Sequence, residues 1–158
     1  MISVTRLYRF SASHRLHSPH LSELENAAVF GKCNNPYGHG HDYVLSITVT
    51  GKRNARTGLL VPIRSLDRLV SEKVLHLFSH RNINVDVPQF AQLVPTTENM
   101  ALVIAGILEA EWNSYLGGTD ARLQRVHIQE TDRNSVEVVM PVHSAEKSFE
   151  SEGLLIHA

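Results

Sequence analysis

The stretch Gly38-His39-Gly40-His41-Asp42-Tyr43-Val44-Leu45-Ser46-Ile47-Thr48-Val49-Thr50 decides the fold. From Tyr43 to Thr50 it is rich in β-branched residues, which suit a pleated, half-buried surface, and it predicts a strand. Just ahead of that strand two histidines stand two residues apart. In extended backbone, residues i and i+2 point to the same side, so His39 and His41 can approach one point together. The flanking glycines let the chain turn sharply and leave room around the imidazoles.

Working toward the N-terminus, Val4 to Phe10 alternates as a strand does. Val4, Arg6, Tyr8 and Phe10 fall on one side, and Thr5, Leu7 and Arg9 on the other. His14 follows this strand. If the two strands pair antiparallel, the end of the first meets the start of the second, and His14 comes beside His39 and His41. The intervening residues 17–40 carry Pro19, Gly31, Pro36, Gly38, Gly40 and three asparagines. That composition predicts a long loop with room for a short helix near Leu21 to Ala28. Loops of this length inside compact domains are usually functional or disordered.

Toward the C-terminus, Asn54 to Gly58 reads as a turn. Ile63, Leu66, Leu69, Val70, Val74 and Leu77 then recur at helical spacing, with Pro62 near the first turn, where its missing N–H costs little. A second helix is expected from Thr97 to Leu116. Pro95 precedes it, Thr96 or Thr97 can cap it, and Gly117-Gly118 end it. Leu123 to Glu130 and Ser135 to Met140 read as strands around a turn at Asp132 to Asn134. The order ββααββ predicts an α+β fold: an antiparallel four-stranded sheet with two helices on one face. Residues 1–141 read as a single domain without linker or repeat. The tail, 142–158, is polar and poorly patterned apart from Leu154 to Ile156, and is expected to be disordered or docked on a neighbouring subunit.

Composition narrows the function classes. At 158 residues and 42% hydrophobic, one core can form, burying roughly two-thirds of the unfolded surface. Fifteen basic and 16 acidic residues nearly cancel, which argues against nucleic acid or a membrane surface as partner. No apolar run nears the roughly 18 residues of a membrane helix, and Met1 to Phe10 lacks the apolar core of a signal peptide. Cys33 is the sole cysteine, so no internal disulfide exists, and a free thiol suggests the cytoplasm. Ten histidines are the unusual feature, and they do not form one tract.

His14, His39 and His41 as neutral imidazoles suit Zn2+. Three protein ligands leave a fourth position for water or substrate, the pattern of catalytic rather than structural sites. The competing reading is three polar loop histidines. Cys33 lies six residues before His39. Beside a dication and histidines its thiol should be partly thiolate and act as a base or nucleophile; alternatively it is a small buried hydrophobe. Glu98 in the first turn of the second helix complements the helix dipole without any further role. Glu130 could simply end a hairpin strand, and His80 could be a surface residue after the first helix.

Longer motifs bear on these alternatives. Phe10-Ser11-Ala12-Ser13-His14-Arg15-Leu16 resembles the first zinc motif of 6-pyruvoyl-tetrahydropterin synthases. Phe30-Gly31-Lys32-Cys33-Asn34-Asn35-Pro36-Tyr37-Gly38-His39-Gly40-His41-Asp42-Tyr43 resembles their catalytic cysteine and remaining zinc ligands. Pro95-Thr96-Thr97-Glu98-Asn99 and Glu130-Thr131-Asp132 resemble the pterin-anchoring segments. The resemblance runs in order from about Leu7 to Met140. It implies the tunnelling fold, in which sheets close an oligomeric barrel as trimers and two trimers stack into a homohexamer with active sites between subunits. It implies a lyase that converts 7,8-dihydroneopterin triphosphate to 6-pyruvoyl-tetrahydropterin, eliminating triphosphate without an external hydride carrier. His14, His39 and His41 would then hold zinc, Cys33 would take a side-chain proton, and His80 would relay protons. Thr97, Glu98 and Glu130 would hold the pterin, a carboxylate suiting its two-donor edge.

Two departures stand out. The family carries Asp-His where this chain has Ser79-His80, and Asp or Asn where it has Pro62. A serine can orient an imidazole but brings no charge to stabilise its protonated form. Loss of the carboxylate from a comparable dyad elsewhere costs up to about 10⁴ in rate. Two alternatives therefore stand beside the pyruvoyl-forming lyase. One is the sister 6-carboxy-tetrahydropterin synthase of the deazapurine (queuosine) pathway, which cleaves the side chain and releases acetaldehyde. The other is a pterin-binding homologue with little activity. The five residues between Cys33 and His39-Gly40-His41 match the pyruvoyl branch.

Overall fold

The computed structural model describes residues 2–141; the tail, with Leu154 to Ile156, lies outside them. The elements are β1 (Ile2–His14), α1 (Glu23–Phe30), β2 (His39–Gly51), α2 (Ile63–Val70), α3 (His76–Phe78), β3 (Arg81–Asn82), α4 (Ile83–Asp86), α5 (Thr97–Leu116), β4 (Arg122–Thr131) and β5 (Asn134–Val139). A wider helical turn over Ser71–Leu75 joins α2 to α3, so one helical rod carries the whole run of apolar positions read from the sequence.

β1 and β2 pair antiparallel along all 13 residues of each, in a register that sets Phe10 opposite Tyr43, Ala12 opposite His41 and His14 opposite His39. Residues opposite one another share a face, so the alternation that buries Phe10 and Ala12 also turns His14 inward. β4 continues the sheet beside β2, and β5 beside β4. Leu45, Ile47, Val126 and Ile128 form the buried face of the sheet. Leu66, Leu69 and Val74 from the helical rod and Met100, Ile104 and Leu108 from α5 pack against it in one cluster. Each such fully buried side chain contributes about 1.5–3 kcal/mol relative to exposure.

The expected four-stranded antiparallel sheet is corrected here: the sheet has five strands and is mixed, in the order β3-β1-β2-β4-β5. After α3 the chain turns along the free edge of β1. The His80 N–H donates to the Ser11 carbonyl at 2.6 Å, and Arg81–Asn82 then run parallel to Ala12–Ser13. The Asn82 side chain accepts from the Asn84 N–H and starts α4, which ends the strand after two residues. His80 makes this corner at φ 58°, the one positive φ at a non-glycine among the described residues. Such a backbone costs on the order of 1–3 kcal/mol.

The long strands also differ from expectation. β1 extends to His14 and β2 begins at His39, so the histidines are strand residues and not loop residues beside strands. The short helix in the connection lies at Glu23–Phe30. Ser22 and Glu25 close a capping box at its start: the Ser22 N–H donates to Glu25 Oε2 at 2.8 Å, and the Glu25 N–H to Ser22 Oγ at 3.3 Å.

Candidate functional site

The site lies where β1 ends and β2 begins. Gly38 makes the approach possible: its φ is 70°, and a Cβ there would stand 2.9 Å from the His14 carbonyl oxygen. The pairing of His14 with His39, and the inward turn at His41, bring three imidazoles together. One nitrogen from each lies within 4.8 Å of the others. His14 Nε2 and His39 Nε2 are 3.2 Å apart.

The chemistry of these nitrogens fits a metal. His14 is buried, and its Nδ1 lies 2.8 Å from the Pro95 carbonyl oxygen. Donation of an Nδ1–H to that carbonyl leaves Nε2 bare and facing the other two rings, the usual arrangement behind a metal-ligating histidine. His41 Nε2 is buried without a hydrogen-bond partner. Burial pushes His14 and His39 below the ordinary histidine pKa, toward the neutral form that ligates. Two nitrogens at the roughly 2.0–2.1 Å typical of Zn–N in a tetrahedral set would sit about 3.3 Å from each other, close to the spacing of His14 and His39.

Glu130 reaches the same place from β4. The register between β4 and β5 shifts between Gln129 and Thr131, and such a bulge re-aims the side chain it contains. Glu130 Oε1 lies 3.7 Å from His14 Nε2 and 3.8 Å from His41 Nε2. Thr97 Oγ1 donates to Oε1 at 2.8 Å and Asn134 Nδ2 to Oε2 at 2.7 Å. Burial raises the Glu130 carboxyl, but these hydrogen bonds and the nearby His41 and His14 outweigh it, and the net direction is down. Thr97 is placed by α5, whose N-cap Thr96 accepts from the Asn99 N–H at 3.3 Å.

Cys33 is held in a short turn of 3₁₀ helix, Gly31–Asn34, after α1. Its carbonyl accepts from the Leu16 N–H at 2.8 Å, and Asn34 Nδ2 donates to the Leu16 carbonyl at 2.7 Å, tying the turn to the chain beyond β1. Cys33 is half-buried. The thiol pKa is raised, by burial first and then by the charge of Glu130. A dication at the histidines would act in the opposite direction.

Two of the sequence candidates make no hydrogen bond to this group among the described residues. Glu98 is exposed on the first turn of α5. His80 lines a shallow pocket of about 470 Å³ with His41, Ser11, Ser13, Asp42 and Arg81, and no hydrogen bond joins it to Cys33 among the described residues. Three participants were missed in the sequence: Tyr43, Asn134 and the Pro95 carbonyl. The Tyr43 hydroxyl is fully buried without a hydrogen-bond partner, and burial, followed by Glu130 and Cys33, strongly raises its pKa. The signal for Tyr43 was present, since it continues the i, i+2 row from His39 and His41.

An α+β chain with a three-imidazole set, a carboxylate and a thiol at one end of its sheet defines the class of site. The profile of the 6-pyruvoyl tetrahydropterin synthase family matches residues 3–140. The chain is 43% identical over 134 residues to 6-pyruvoyl tetrahydrobiopterin synthase of Poecilia reticulata, covering 84% of this chain and 86% of that protein. It is 41% identical over 133 residues to the protein of the same name from Homo sapiens, covering 84% and 88%. Its fold is similar to that of Caenorhabditis elegans 6-pyruvoyl tetrahydropterin synthase, with TM-score 0.80 and 36% identity over 89% of this chain and 96% of that one. The chain belongs to the 6-pyruvoyl tetrahydropterin synthase family.

Proposed function

We propose that this protein is a zinc-dependent pterin lyase that eliminates triphosphate from 7,8-dihydroneopterin triphosphate and forms 6-pyruvoyl-tetrahydropterin. The observation that carries the reading is the convergence of His14, His39 and His41 beside Glu130 and Cys33 in a chain of this family. His14, His39 and His41 would hold the zinc, which when bound supplies Lewis acidity toward the side-chain hydroxyls of the substrate. Glu130 keeps acceptor capacity on both oxygens after Thr97 and Asn134 are satisfied, and it receives the amino group and ring N–H of the pterin. Thr97 fixes that carboxylate, and Glu98 borders the ring. Cys33 removes a carbon-bound proton from the side chain, and His80 exchanges protons with it.

We read the sites as lying between subunits, where His80 need not serve the cysteine of its own chain. The outer edge of β1 before Ala12 has no strand partner among the described residues, and neither has the outer edge of β5. Free edges favour pairing with another copy, so we read the protein as a homo-oligomer, a hexamer of two trimers. Residues 1–141 form its one domain, 142–158 its tail, and the cytoplasm its compartment. No helix among the described residues is long and apolar enough to cross a membrane.

The test is incubation of zinc-loaded protein with 7,8-dihydroneopterin triphosphate and identification of products by mass spectrometry. The pyruvoyl product with free triphosphate is expected. A carboxy product with acetaldehyde would move the protein to the sister activity. Bound zinc and bound pterin with no product would leave a binding protein, a reading favoured by Ser79 alone.

A further inference from the structure

The corner at His80 carries an inference that rests on the relay role just proposed for this residue. His80 adopts φ 58°, and it is the one described non-glycine residue with a positive φ. Backbone of that kind persists where the surroundings over-determine it, and it clusters at functional positions. Its N–H is bonded to the Ser11 carbonyl at 2.6 Å. Ser11 is the register partner of Asp42, and the Ser11 hydroxyl donates to Asp42 Oδ1. His80, Ser11 and Asp42 thus form a row across the edge of the sheet, His80 held to the Ser11 main chain through its backbone N–H and Asp42 to the Ser11 hydroxyl.

The same three residues line one pocket, in which Asp42 is the only carboxylate among the described residues. Ser13, Asn82 and Arg81 supply its other polar side chains, Arg81 being the one full positive charge, and His41 borders it from β2. The residue before His80 is Ser79, which has no charge to offer. We propose that Asp42, acting through Ser11, is the positioning carboxylate for His80 and fills the place that a serine at residue 79 leaves open. The carboxylate arrives from the neighbouring strand and not from the end of the helical rod.

The experiment compares the metal-loaded full chain with D42N, D42E and the double variant D42N/S79D. Turnover of 7,8-dihydroneopterin triphosphate, bound metal and the imidazole ¹⁵N NMR signals of His80 are measured on each. For D42N, kcat should fall about 10- to 100-fold, less than the roughly 10²–10⁴-fold a general acid or base itself contributes, because Asp42 acts only through His80, with KM within about twofold and bound metal unchanged. D42E should keep most of the turnover, and S79D should restore it in the D42N background. The ¹⁵N pattern of His80 should change in D42N and return in the double variant, while His20 stays as it was.

An inactive wild type whose His80 signals still respond to D42N would sink the lyase reading and keep the pairing of Asp42 with His80. Wild-type kcat and wild-type His80 signals in D42N would overturn the pairing itself. A fall in kcat that tracks metal loss, or that S79D does not repair, would also overturn it. If D42N does not fold, S11A removes the hydroxyl that bonds to Asp42 while keeping the carbonyl that holds the His80 N–H, and unchanged His80 signals in S11A would overturn the pairing in the same way.

Discussion

His14 is committed at both ring nitrogens, one toward the Pro95 carbonyl and the other toward the shared centre. His39 differs, because its Nδ1 is buried without a partner and only its Nε2 faces a neighbour. Removing His39 therefore subtracts a ligand without disturbing the sheet face that Phe10 and Tyr43 build. For His39→Ala we expect zinc affinity to fall by more than the roughly 10–100-fold that loss of an outer-shell partner costs, with turnover falling in parallel. Full metal retention, measured by elemental analysis after dialysis, would remove His39 from the ligand set. Cys33→Ala should separate the two properties: metal content and pterin affinity stay, and kcat falls about 100-fold or more. Unchanged kcat would return Cys33 to the status of packing. At this scale the sequence made His39 and His41 legible through strand parity, and His14 through strand pairing. That Glu130 and Thr97 lie beside the histidines was suggested only by family resemblance, and Cys33 by its position and that resemblance, because neither a bulge nor a tied turn has a periodic signature. The Pro95 carbonyl leaves no mark on residue type at all.

Elements place these side chains, and β1 and β2 do so by their register. The turn into β2 depends on Gly38, where a Cβ would meet the His14 carbonyl oxygen. Gly38→Ala should cost about 1–2 kcal/mol in urea denaturation of the metal-free protein, and should weaken metal binding by moving His39 away from His14. Equal stability and equal affinity would mean that the corner relaxes freely. A second link ties β1 to the helical rod: Arg6 donates to Asp67 through Nε at 2.9 Å and Nη2 at 2.8 Å, and the Tyr8 hydroxyl donates to Asp67 Oδ1 at 2.9 Å. The Arg6 hydrogen bonds, against some burial, hold the Asp67 carboxyl below its ordinary 3.8. A carboxyl depressed on folding contributes stability above its unfolded pKa and loses it as pH falls through the folded value. Asp67→Asn should therefore lower stability slightly at neutral pH and flatten the acid limb below about pH 4, a small effect because the pair is exposed and screened. A steeper acid limb in D67N would contradict the sign. Long elements such as α5 were legible from spacing and end signals. β3 was not, since two residues carry no period, and its existence depends on a hydrogen bond from a strained His80.

Across the whole molecule, the candidate centre joins parts that are distant along the chain. His14 ends the first strand, His39 and His41 begin the second, and Pro95 and Glu130 reach in from the segments before α5 and before β5. The α+β class was legible because hydrophobic alternation and helical spacing are properties of single segments. The fifth strand and the mixed pairing were not, because they arise from contacts between segments. A ligand that binds the folded centre and not the unfolded chain stabilises by about 2.7 kcal/mol at a free concentration of 100 times Kd. At roughly 2–4 °C per kcal/mol for a chain of this size, zinc at that level should raise Tm by about 5–10 °C over protein stripped with a chelator. His39→Ala should abolish most of the rise, whereas Cys33→Ala should keep it, since the thiol is not a member of the ligand set. Scanning calorimetry with and without zinc tests this without any substrate. Equal Tm in the stripped and loaded protein would mean that the three imidazoles share a corner of the sheet without sharing a metal.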